Sequence, residues 1–215
     1  MNLPAFMLCL VAVFISGPSF GQDGGTVQPI SPNEAIGILK NGTLVVRLST
    51  NTRKIEALEK LAATTTKEKD RLRFQTMLEK TRLDTRNQNL WLMEAFQANY
   101  SFSKLLFMPD TAATDLKSGV RQGIFLNGDL QTDPSLALEG DFLVAYYGAN
   151  TSDQYTNNEG ITVLDKNFQP VKYPFPFFTG RTSIRRMFEE AFNKTTDLYH
   201  YTQLVIKFQK KLTEF

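Results

Sequence analysis

The chain has 215 residues, 42% of them hydrophobic, which is enough to bury one substantial core, so a single domain is expected. Lys plus Arg number 24 against 22 Asp plus Glu, a formal net charge of +2, and a balance so near neutral does not call for nucleic acid or another polyanion as partner. With one histidine and one cysteine, no metal site and no cofactor is expected.

The N-terminus comes first. Residues 3–15 form an uncharged apolar run, followed by Pro18 and by Ser19-Phe20-Gly21, with small residues where a leader would be cut. This is the pattern of a secretory signal peptide over residues 1–21, although no Lys or Arg stands near Met1 as such leaders usually require. The run is shorter than the roughly 20 residues needed to cross a bilayer, so no transmembrane span is expected in the mature chain. Cys9 lies inside it, and cleavage after Gly21 would leave a mature chain without thiol or disulfide. The expected location is secreted or periplasmic. Residues 22–30 read as a flexible connector and 31–215 as the domain.

Ser31-Pro32-Asn33-Glu34 combines an N-cap hydroxyl, a first-turn proline and a capping carboxylate, and Asn41-Gly42 supplies a stop, so a short helix lies between them. Residues 44–48, rich in β-branched side chains, predict a strand covered on both faces. The polar turn from Ser49 leads into an amphipathic helix marked by Ile55, Leu58, Leu61 and Ala62. Amides at that helix start, in Ser49, Thr50 and Asn51, with Arg47 and Arg53 beside them, suit an anion such as phosphate or sulfate; ordinary capping is the alternative. No Gly-rich loop or Walker-type lysine accompanies them.

Thr65-Thr66-Lys67-Glu68 has capping-box spacing and is expected to open a long helix. Glu68/Arg71, Asp70/Arg73 and Glu79/Arg82 are spaced to pair along a solvated surface, and the interleaved acids argue against a nucleic-acid face. Further on, Leu90, Trp91, Leu92, Met93, Phe96 and Tyr100 predict a buried second half. Residues 104–108 read as a strand ending at Pro109-Asp110. Asp110 either shares a crevice with the turn after the first strand, if the two strands are parallel neighbours, or caps a helix over 112–117 that Gly119 ends.

From Gly123 the periodicity shortens, and residues 124–126, 142–147 and 161–164 predict strands in a partly antiparallel half-sheet. Asp165-Lys166-Asn167 is a turn into a further strand over 168–171. The loop 148–160 is long and polar. Tyr173-Pro174-Phe175-Pro176-Phe177-Phe178 is held extended by its prolines and either packs on the core or offers Tyr173, Phe175, Phe177 and Phe178 to a partner, with Arg181, Arg185 and Arg186 following. A helix from Thr182 or Ser183 and a last one follow; in the latter Leu198, Tyr201, Val205, Phe208, Leu212 and Phe215 form a narrow seam. The seam is expected to dock on the sheet in a monomer, with dimer pairing as the alternative. His200 lies one step off it, and no Gly-x-Ser-x-Gly elbow accompanies it.

The expected fold class is α/β: one mixed sheet of about five strands flanked by helices. The element order loosely resembles a thioredoxin-type layout over residues 44–215, but that family's redox activity requires a Cys-x-x-Cys pair that is absent here. The leading expectation is an exported, non-catalytic domain that binds an unidentified protein or other extracellular ligand through the residue 173–178 aromatics and the 148–160 loop. The rival is a carboxylate-based hydrolase, with Asp110 and Asp141 as its acids, which requires the two carboxyl groups within about 10 Å of each other.

Overall fold

Two short aliphatic strands set the frame. In the computed structural model, which describes residues 30–149, 159–180 and 197–215, β1 (Thr43–Leu48) lies between β2 (Lys104–Pro109) and β3 (Phe142–Ala149), parallel to both. The sheet continues antiparallel through β4 (Glu159–Leu164) to β5 (Phe178–Gly180), giving five strands in the order β2-β1-β3-β4-β5. This is the expected mixed α/β sheet. Because β1 is central and covered on both faces, Leu44, Val45 and Val46 follow one another as buried aliphatics and do not alternate with polar residues.

One face of the sheet carries Leu44, Val46, Leu48, Phe107, Leu143, Ala145, Ile161 and Val163. It is covered by α1 (Pro32–Asn41), by the second half of α3 (Glu68–Asn99) and by α5 (Asp197–Thr213). At their junction the Phe96 ring meets Phe107 and Phe208 edge-on, and Tyr100 stacks on Phe208 at 5.9 Å. The other face, with Val45, Met108, Val144 and Leu164, is covered by α4 (Ala113–Lys117) and by Phe125 and Leu138 of an irregular connection. That connection corrects an expectation: residues 124–126 are not a strand. The Leu126 N–H donates to Phe107 O, and the Asn127 side chain turns the chain by accepting from Asp129 and Gln131 N–H groups, so only isolated bridges form. The strand expected over 168–171 is likewise reduced to one bridge, at Pro170, which lacks the donor to extend a ladder.

The helix start at Ser31 forms as expected, its hydroxyl accepting from Glu34 N–H at 3.3 Å. The expected capping box at Thr65 does not, because that residue closes α2 (Thr52–Thr64) by donating its N–H to Leu61 O; α3 begins after Lys67 without a side-chain cap. At about 1.5 Å per residue α3 is ~48 Å long, more than twice the length of a six-residue strand, so its first half projects past the sheet as a two-helix arm with α2. Asp70/Arg73 and Glu79/Arg82 do not pair there. Arg82 reaches across to Glu59 of α2, while Glu68–Arg71 does form. Leu58 is buried at the seam of the arm, but Leu61 is exposed, since among the described residues no third layer covers the arm.

The seam of α5 is used inside the domain. Tyr201, Leu204, Val205, Phe208 and Leu212 are buried against α3 and the sheet. The expected leader, most of the expected connector, residues 150–158 and residues 181–196, including Arg181, Arg185, Arg186 and the helix expected after Thr182, lie outside the described residues. No described helix is long and apolar enough to cross a membrane.

Candidate functional site

Two places gather the residues singled out by sequence. The first is the carboxyl end of β1 and β2. Since Leu48 pairs with Pro109 in parallel register, Asp110 arrives beside the turn after β1. Its Oδ1 accepts from the Thr50 N–H at 3.1 Å and from the Thr50 hydroxyl at 2.5 Å, and Thr50 Oγ1 lies 2.6 Å from Thr52 Oγ1. Asp110 therefore does not cap the helix that follows it; it ties two strand ends together. Asn51, in the left-handed region at φ 51, sends its side chain to Thr85 Oγ1 at 2.8 Å, and Asn89 donates to Ser49 O at 2.8 Å. Arg47 stacks on the Tyr146 ring at 4.8 Å, and Arg53 is exposed in the first turn of α2.

This arrangement bears on both chemical expectations. An anion at the Ser49–Arg53 turn would compete with the Asp110 carboxylate, which already holds the Thr50 amide. Asp141, the other acid of the rival hydrolase, sits at the opposite end of the sheet: it precedes Phe142, which is level with Thr43, whereas Asp110 follows Pro109, which is level with Leu48. The separation along the strands is about seven residues, or ~23 Å at about 3.3 Å per residue. Paired-carboxylate glycoside cleavage needs less than about 10 Å, so these two acids do not form such a pair.

The second place is a groove of about 420 Å³ between residues 173–178 and the last turn of α5. Its parts differ from what the run of aromatics suggests. Phe175 is 1% exposed, anchored in the core with its ring 6.1 Å from that of Phe215, so it underlies the groove and is not an exposed ring. Phe177 and Phe178 are half-buried along the wall, and Tyr173 stands 84% exposed at the rim. Lys211, Glu214 and Phe215 complete the lining. The Lys211 ammonium donates to Phe178 O at 3.1 Å, and Lys207, one turn earlier, donates to Gly180 O at 2.9 Å. Burial, with Lys207 adding repulsion, holds the Lys211 ammonium below its ordinary pKa. These two lysines, near the carboxyl end of α5, thus bind carbonyls of β5. The i, i+4 spacing of Lys207 and Lys211 on one flank of the seam is the signal that was there to find.

Among the described residues no three His, Cys, Asp or Glu side chains converge as a metal site would require. His200 is half-buried beside the Tyr199 ring at 6.1 Å. No family model, no curated protein and no solved structure matches the chain, so the thioredoxin-type likeness stays confined to element order.

Proposed function

We propose that the protein is an exported, non-catalytic binding domain, and that the groove rimmed by Tyr173 is where its ligand sits. The observation that carries this is the contrast within one segment: Phe175 anchors the chain in the core, while Tyr173 two residues earlier is left 84% exposed over an apolar wall. Leaving a large aromatic ring in water forgoes most of its burial energy, and exposed aromatics beside a concave apolar surface mark contact sites. The apolar run at 3–15 and the small residues before Gln22 support export.

The experiment is a pull-down from culture fluid or cell envelope with wild type and with Tyr173→Ser. Because Tyr173 is exposed, the variant is expected to fold as wild type does, so a partner lost only in the variant supports the groove. A partner retained in full by the variant refutes it. Phe175→Ser is the wrong probe, since removing a buried ring costs about 3–5 kcal/mol and would unfold the site.

A further inference from the structure

We infer that the ligand of this groove is a neutral saccharide, taken one or two sugar rings at a time; this rests on the binding reading above. Three observations favour it over a peptide. First, among the described residues β5 is the edge strand, and a peptide would add to it through the outward groups of Phe178 and Gly180. Val163 N–H donates to Phe177 O, so in the antiparallel ladder Phe177 and Thr179 face β4, and Phe178 and Gly180 face outward. Those two outward carbonyls are already held by Lys211 and Lys207. Strand addition is therefore blocked at the edge beside the groove.

Second, the charges in the lining are compensated. Glu214 pairs with Lys210 at 3.5 Å, and Lys211 rests on Phe178 O. Among the described lining residues neither sign dominates, which suits an uncharged ligand. Third, the lining has the two-sided character that a pyranose requires. The ring of Tyr173, the pyrrolidines of Pro174 and Pro176 and the edges of Phe177 and Phe215 offer apolar faces for the C–H side of a sugar. The Tyr173 hydroxyl, the Lys211 ammonium protons not used by Phe178 O and the Glu214 carboxylate offer donors and acceptors for its hydroxyls. At about 420 Å³ the groove is at the low end of the ~300–1,000 Å³ usual for small-ligand sites, room for a short glycan segment and not for a folded partner.

The test is an amide chemical-shift titration of the purified protein with cellohexaose, maltohexaose, chitohexaose and a decaproline peptide in turn. At least one hexasaccharide is expected to shift the amides of Tyr173, Phe177, Lys211 and Phe215 with Kd near or below roughly 1 mM. Tyr173→Ala then weakens it roughly tenfold, and Tyr173→Phe leaves it within about threefold. Shifts at those amides with decaproline alone overturn the saccharide and leave the groove standing as a binding site. No shift with any probe also overturns the saccharide, while the pull-down with Tyr173→Ser decides the broader proposal on its own.

Discussion

Phe208 joins α5 to α3, two of the three helices that cover one face of the sheet, and replacing it measures how far the domain depends on that junction. Its ring is fully buried, edge-on to Phe96 at 6.4 Å and stacked with Tyr100 at 5.9 Å. Phe208→Ala removes a ring whose loss typically costs about 3–5 kcal/mol in transfer and cavity terms. Two aromatic contacts add about 0.5–1.5 kcal/mol each, part of which is already counted in the mutational range. A loss of about 4–5 kcal/mol is expected. For a domain of ordinary stability, about 5–15 kcal/mol, that is about a quarter or more of the total. Phe208→Leu, which keeps most of the volume, is expected to cost about 1–2 kcal/mol. Urea unfolding followed by far-ultraviolet circular dichroism reads both as midpoint shifts at constant slope. If Phe208→Ala costs less than about 2 kcal/mol, α5 is not docked on α3 as described.

Further outcomes follow from single side chains. Burial raises the Tyr100 phenol, against a smaller lowering by its hydrogen bond to Ser103, so the folded state keeps the proton more tightly than the unfolded one does. The stability this supplies is present below the ordinary tyrosine pKa near 10 and is lost as pH rises above it toward the folded value. Tyr100→Phe is expected to cost about 1 kcal/mol at pH 7 from the lost hydrogen bond and to flatten the decline in stability above pH 10; an equally steep decline would contradict the assignment. For Lys211, burial and Lys207 depress the folded pKa, so the unfolded state holds the extra proton between that value and about 10.5, and stability rises with pH across this window. Lys211→Met should remove the rise, as read by unfolding at pH 8 and at pH 10. Thr50→Val deletes the hydroxyl that donates to Asp110. A double-mutant cycle with Asp110→Asn is expected to give a coupling of about 1–2 kcal/mol, and a coupling below about 0.5 would mean that the two strand ends are not tied there.

Elements dictated by a strong local signal were legible in sequence. The aliphatic run of β1, the Ser31 cap and the seam of α5 each state their structure within a few residues. What depends on pairing was not. Nothing local says that β1 is parallel to both neighbours, and the place of Asp110 follows only from that fact: parallel pairing brings it to Thr50 and leaves Asp141 at the far end. Thr65 satisfied two local patterns at once, a capping box for the helix after it and a closing residue for the helix before it, and the second prevailed. The 173–178 segment shows the limit most directly. Prolines at 174 and 176 abolish the simple two-residue alternation, so sequence did not tell which ring is the anchor and which is exposed. The far wall of the groove comes from α5, some 35 residues later, and only the fold brings Lys211 and Phe215 there.

The most direct test of the binding surface is photo-crosslinking in the source cell, with Tyr173→p-benzoylphenylalanine and Leu72→p-benzoylphenylalanine compared. Leu72 is the control because it is 54% exposed on the projecting arm, remote from the groove. A specific adduct from position 173 and none from position 72 is the predicted result. An adduct from position 72 with none from position 173 would contradict the proposal and move the contact surface to the α2–α3 arm.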